Sequence, residues 1–166
     1  MTLPQVSIRP VRLSDADDIH AARIQPEASR FTSSFPGERV TKVQAFLEGL
    51  TPHDVMLVAE VGGHVVGVCG LHGHVGKARH VATLGLLVHD AFAHRGIGRA
   101  LCENILDIAD RHLGLVRVEL DVNTENARAI RLYEMLGFER EGLRRRAYFT
   151  DGKYADAIAM ARLRGI

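Results

Sequence analysis

The sequence predicts an α/β (α+β) architecture: one mixed sheet of about seven strands with helices on both faces. Three observations carry that expectation. Gly62-Gly63 and Asp151-Gly152 each separate two apolar, partly alternating runs, the signal of a β-hairpin. Residues 83–88 and 115–122 form strand-like runs, and each is followed by a segment with apolar residues at helical spacing, as in a strand feeding a crossover helix. With 46% hydrophobic and 25% charged residues, the 166-residue chain has the composition of one globular domain, spanning 1–166.

Taken in order, Val6-Ser7-Ile8-Arg9 alternates and reads as an edge strand stopping near Pro10. Ser14, with Asp17 three residues later, has the form of a capping box. The helix it starts runs through Ile19, Ala22 and Arg23 and ends before Pro26. Residues 26–39 read as irregular, and Phe31 and Phe35 there either line a substrate pocket or tuck under the loop as a satellite core. A second helix, residues 41–50, carries Val43, Phe46, Leu47 and Leu50 on one face. The hairpin at Gly62-Gly63 follows, and His72 and His74 come after it at i, i+2. On an extended segment they point the same way. No cysteine or carboxylate cluster accompanies them, and two histidines are an incomplete set for zinc, so they read as exposed side chains and no metal is expected. After the strand of residues 115–122, Ala129, Leu132, Tyr133 and Leu136 mark a helix that Gly137 ends. Gly137 stands as C′ of a Schellman motif in which Tyr133 meets Phe138. A hairpin turning at Asp151-Gly152 closes the chain.

Composition excludes several functions. Net charge is +1, from 21 basic and 20 acidic residues, which argues against a nucleic-acid partner held through phosphates. No apolar run is long enough to span a bilayer, so no membrane partner is expected. Met1-Thr2-Leu3-Pro4-Gln5 lacks the basic and apolar regions of a secretory signal. Cys69 and Cys102 sit inside apolar runs and read as buried reduced thiols, which places the chain in the cytoplasm.

The chemistry starts where the strand of residues 83–88 meets its helix, at Arg95-Gly96-Ile97-Gly98-Arg99-Ala100-Leu101. Glycine weakens a helix start, so access is the better reason for the pair: without Cβ atoms, an anion reaches amides that have no partner in the helix. Arg99-Ala100 after Gly98 rules out a Walker loop, and Leu101 replaces the third glycine of a dinucleotide fingerprint. On these residues alone, a tight connection without ligand is an equal reading. The strand and this loop resemble the acetyl-coenzyme A pyrophosphate loop of the GNAT (Gcn5-related) N-acetyltransferases, with Ala93 standing where the family usually has Gln or Arg. The segment Asn123-Thr124-Glu125-Asn126-Ala127-Arg128-Ala129-Ile130-Arg131-Leu132-Tyr133-Glu134-Met135-Leu136-Gly137-Phe138 is similar to that family's second signature. Within the family, the chain looks most like the bacterial L-amino-acid N-acetyltransferases.

The resemblance implies the GNAT fold and direct acetyl transfer from acetyl-CoA to a primary amine of an amino acid or related small molecule. The alternatives are a protein N-terminal or lysine acetyltransferase, or a non-catalytic acyl-CoA sensor. It implies that His94, Arg95, Gly96, Ile97, Gly98 and Arg99 hold the diphosphate. The backbone of Leu86, Leu87 and Val88 would pair with the pantetheine arm, and Asn126 would hydrogen-bond the coenzyme. Tyr133 would protonate the departing thiolate. Asp121 matches the carboxylate base of peptide-N-terminal members, with Glu119, or His72 through water, as alternatives; the bland role of Asp121 is an ion pair with Arg117 or Arg131. Threonine at position 83 cannot serve where relatives keep a base on the central strand. Phe31, Phe35 and Tyr148 are candidate acceptor contacts, Arg144-Arg145-Arg146 reads as a solvated face, and a homodimer is the family expectation.

Overall fold

A computed structural model describes residues 5–165; Met1, Thr2, Leu3 and Pro4, part of the stretch read for a secretory signal, lie outside the described residues. Seven strands form one sheet: β1 (Ser7–Pro10), β2 (Asp54–Val61), β3 (His64–Gly73), β4 (Val81–Val88), β5 (Arg117–Asn123), β6 (Glu139–Thr150) and β7 (Lys153–Leu163). Their spatial order is β1-β2-β3-β4-β5-β7-β6. Every pairing is antiparallel except β4 with β5, the pair joined by a crossover helix. The helices are α1 (Ala16–Arg23), α2 (Pro26–Phe31), α3 (Val40–Glu48), α4 (Ile97–Ile108) and α5 (Ala127–Met135).

Strand alternation sorts the apolar residues into two cores. Cys69, Leu71, Leu84, Val118, Leu120 and Met160 face Leu101, Ile105 and Ile130 of α4 and α5. Val58, Val65, Val68 and Leu87 face Ile19 of α1 and Val43 and Leu47 of α3. A side chain's parity along its strand therefore decides which face it serves. The tight C-terminal end of α5 forms as expected: the Phe138 amide donates to the Tyr133 carbonyl at 3.0 Å, the Gly137 amide to Glu134 at 3.1 Å, and Gly137 has φ 91°. The two rings pack with centroids 5.7 Å apart.

Three local expectations change. The carboxylate that caps the first helical turn belongs to Asp15, which accepts from the Arg12 amide at 2.7 Å while also binding Arg9, and not to the Ser14/Asp17 pair. Residues 26–31 are helical: Pro26 occupies the first turn, where its missing N–H costs nothing, and the Asp90 carboxylate accepts from the amides of Glu27 and Ala28 at 2.9 and 3.0 Å. Finally, α3 presents Val43 and Leu47 to the core but leaves Phe46 49% exposed, because that ring stands at the rim of a cavity.

The segment between α2 and α3 is pinned by Glu38, which is 5% exposed and binds Arg23 at 2.9 Å and Lys42 at 2.7 Å. The Arg23 hydrogen bonds hold its carboxyl below the ordinary value against the opposing effect of burial, with Lys42 adding to them. Glu38→Gln is expected to lower stability by roughly 2–3 kcal/mol at pH 7, measured by urea unfolding; the figure sits at the low end for a broken buried pair because both cations keep some solvent. A carboxyl depressed in the folded state contributes fully above its unfolded pKa of about 4.3 and loses that contribution as pH falls through the folded value. The gap between wild type and variant therefore closes in acid.

Candidate active site

Parallel pairing between β4 and β5 covers only Val81, Ala82 and Thr83 against Arg117, Val118 and Glu119. Beyond Thr83 the two strands part, leaving a gap at their C-terminal ends, where open sheets place ligands. The His89 amide bonds the Val66 carbonyl of β3 at 2.8 Å, so alternation turns the amides and carbonyls of Leu86 and Val88 the other way, into the gap. Their side chains pack toward α4, whereas Leu87 is buried on the opposite face.

The loop entering α4 ends at Gly96, whose φ of 77° suits glycine; a Cβ there would meet nothing within 4 Å, so conformation selects this residue. Gly98 has a different reason, because its Cβ would stand 3.3 Å from Leu86 Cδ2 and 3.6 Å from Val88 Cγ2. The helix start is thus drawn tight against the open edge of β4. No side chain caps α4 and no acidic residue lies in its first turn, so the amides of Ile97, Gly98 and Arg99 and the positive end of the dipole stay uncompensated. His94 has φ 62°, the Arg95 guanidinium lies over the Phe92 ring at 5.1 Å, and Arg99 bonds Glu103 at 2.8 Å. Across the gap, the Asn126 Oδ1 caps α5 by accepting from Ala129 at 3.3 Å, which leaves its amide NH2 for another acceptor.

Tyr133 is 7% exposed and belongs to the core on the α4 side. Burial pushes its phenol far above the ordinary value, with smaller contributions from Cys102, Cys69 and Tyr148, so it keeps its proton through neutral pH. On the other face, Asp121 is ion-paired with Arg144, a partner neither Arg117 nor Arg131 supplies. Arg117 instead binds Glu119 at 2.7 Å and Glu141 at 2.6 Å. The arginine run is therefore only partly a solvated face. Burial, with the Asp121 carboxylate second, raises the Tyr148 phenol.

A cavity of about 350 Å³ opens on this second face, between the sheet, α1 and α3. Gly70 and Gly85 pair across β3 and β4 and form its bare floor, where a Cβ on Gly85 would meet nothing within 4 Å. Ile19, Val43, Phe46, Leu47 and Met56 make apolar walls; Arg23 and Lys42 also line it, as do Leu86 and Leu87 of β4. Phe31 and Phe35 do not line it. The first carries the Arg30 guanidinium on its ring at 5.0 Å, and the second is 57% exposed. The expected histidine positions are also corrected. His72 is half-buried, lines the cavity and bonds Asp54 through Nδ1 at 2.9 Å; His74 bonds the Thr83 hydroxyl at 3.0 Å.

The model of the Acetyltransferase (GNAT) family matches residues 22–138, from α1 through the end of α5. The chain belongs to the GNAT acetyltransferase family. It is 32% identical over 163 residues to the L-amino acid N-acetyltransferase AaaT of Escherichia coli strain K12, covering 98% of this chain and 100% of that one. It is 40% identical over 116 residues to the N-alpha-acetyltransferase RimI of Mycobacterium tuberculosis, covering 68% of each. Its fold superposes on a GNAT-family acetyltransferase structure from Streptococcus pneumoniae with a TM-score of 0.83 at 25% identity, over 97% of this chain and 100% of that one. The chain is accordingly an acyl-CoA-dependent N-acetyltransferase, and GNAT enzymes use acetyl-CoA as cosubstrate.

Within this GNAT sheet, the start of α4 at Gly98 packs on Leu86 and Val88 of β4 and on Leu132 of α5, while Tyr133 lies in the core on the α4 side and Asp121 on the opposite face of β5. Sequence reading missed Gly70, Gly85 and Phe46 as cavity residues. The glycines sit inside strands without a turn signal. Only their unusual place in an apolar run marks them.

Proposed function

We propose that this acetyltransferase moves an acetyl group from acetyl-CoA directly to the primary amine of an amino acid or related small molecule. One observation carries the reading: a cavity of about 350 Å³, within the size range of small-molecule sites, is lined by Gly85, Leu86 and Leu87 of β4, just past the last residue of that strand that pairs with β5. The residues fit the donor. The amides of Gly96, Ile97, Gly98 and Arg99, with His94 and Arg95 beside them, suit a diphosphate. The free edge at Leu86 and Val88 suits a pantetheine arm by strand-like pairing, and the Asn126 NH2, not used in capping α5, suits a further acceptor on the coenzyme. The donor supplies an activated thioester; Tyr133, still protonated, donates a hydrogen bond to the departing sulfur.

Two features support direct transfer. Contact with Cys102 together with burial pushes the Cys69 thiol well above its ordinary value, so Cys69 offers no thiolate nucleophile, and Cys102 is as fully buried, out of reach of a substrate. Both are also free, which suits a reducing compartment such as the cytoplasm.

The test is free-thiol release with amino acids, polyamines and peptides as acceptors. Turnover is expected with amino acids, above all those whose apolar side chains fill the cavity; reaction with peptides alone overturns the small-molecule assignment.

A further inference from the structure

We propose that His72, oriented by Asp54, receives the proton that the acceptor amine gives up. The inference rests on the N-acetyltransferase reading and assigns its base. A bound ammonium cannot attack a carbonyl, so the site needs a group that takes one proton before the N–C bond forms. Three candidates share the face opposite α4. Asp121 is already engaged by Arg144 and Glu119 by Arg117, so each carboxylate is occupied by a guanidinium donor.

His72 is held differently. A carboxylate accepts hydrogen bonds, so the 2.9 Å contact with Asp54 Oδ1 fixes a proton on Nδ1, and in the neutral ring that leaves Nε2 as the acceptor. That orientation is enforced. Asp54 is 14% exposed and also accepts from the Thr51 amide and hydroxyl at 2.7 and 2.8 Å, while the His72 ring stands edge-on to Phe46 at 5.6 Å. Burial alone would raise the Asp54 carboxyl, but these hydrogen bonds together hold it below the ordinary value, so it stays an anion beneath the ring. Nε2 lies directly over Gly70, 2.9 Å from where a Cβ would stand, on the cavity floor beside Gly85. One strand further lies the β4–β5 gap, so Nε2 is on the order of 5–10 Å from it, within reach of a bound amine directly or through one water. Approach from this face is the open one, because α4, α5 and Tyr133 fill the other.

The step balances. The ammonium loses one proton to Nε2, which returns it to solvent. The neutral amine then forms the N–C bond as the C–S bond breaks, and its second proton ends on the departing sulfur, where Tyr133 stabilises the charge.

The test compares wild type, His72→Gln, Asp54→Asn and Asp121→Asn with whichever amine reacts, across pH. Asp54 on β2, Lys42 on α3 and Arg23 on α1 carry charge around the cavity that His72 lines; opposite His72 on β4, the Thr83 hydroxyl is held by His74, which stands 3.9 Å from Glu119 on β5. His72→Gln is expected to cut kcat at least 100-fold at pH 7, with the loss shrinking as pH rises and the amine deprotonates unaided. Asp54→Asn should cost at least 10-fold, and Asp121→Asn less than His72→Gln. Calorimetric coenzyme A affinity should stay within 3-fold in His72→Gln, and the His72 Nε2 resonance should shift when acceptor is added to donor-free enzyme. A His72→Gln variant that keeps kcat within 3-fold, or a loss equal at all pH, or collapse in Asp121→Asn instead, overturns the assignment. Reaction of wild type with peptides alone overturns the small-molecule reading and leaves the His72 comparison to be read with that peptide.

Discussion

Tyr133→Phe is expected to lower kcat by about 100-fold or more, while thermal stability and coenzyme A affinity change little. The ring has a structural role independent of the hydroxyl: it packs against Phe138 at 5.7 Å where α5 closes, and phenylalanine preserves that contact. What the variant removes is one hydroxyl donor on a residue only 7% exposed. Loss of a single preorganised donor to a developing negative charge costs on the order of 100–1,000-fold, and a tyrosine held far above its ordinary pKa donates without ionising. Full transfer of its proton to a thiolate would run uphill, since an ordinary thiol sits near 8.5. The hydroxyl therefore acts as a hydrogen-bond donor, with the amine as the ultimate source of the proton. No limb from Tyr133 should appear in the pH–kcat profile below pH 10. Stopped-flow thiol detection with saturating acceptor checks the rate, and calorimetry checks the affinity. Retention of kcat within 3-fold would leave Tyr133 a packing residue only.

The difference between what was readable in the sequence and what was not follows the range of the interactions. The Schellman end at Gly137, the hairpins, and the strand–loop–helix unit at Gly96 depend on neighbours within a few residues, so spacing exposes them. Helix α2 was missed because its N-terminal amides are satisfied by Asp90, more than sixty positions away. A six-residue helix with no cap of its own carries too weak a local signal to be recognised. Asp121 was placed on the right face by strand parity. Its arginine was not identifiable, because Arg144 reaches it through β7 pairing with both β5 and β6. The His72–Asp54 pair likewise exists only through the β2–β3 register, which sets Asp54 opposite His72. In each case parity gave the face and register gave the partner, and only the first is written locally.

Gly96 and Gly98 should separate cleanly under mutation, because the structure gives them different jobs. At Gly96 the φ of 77° penalises any Cβ by roughly 1–2 kcal/mol although the space around it is empty. Gly96→Ala should therefore lower the melting temperature and weaken coenzyme A binding less than 10-fold. At Gly98 the backbone is ordinary helix and alanine there is intrinsically better by about 1 kcal/mol, which offsets crowding of flexible Leu86 at 3.3 Å. A larger branched residue is different: Gly98→Val would fill the seam between the helix start and the open β4 edge, along which the donor must run from diphosphate to thioester. Gly98→Val is expected to raise the Kd for coenzyme A at least 100-fold, about 2.7 kcal/mol, with a smaller change in melting temperature than Gly96→Ala. Calorimetric titration and thermal unfolding of the two variants read both quantities. Undiminished affinity in Gly98→Val would mean that the donor does not pass along that seam, and the site drawn along β4 would have to be abandoned.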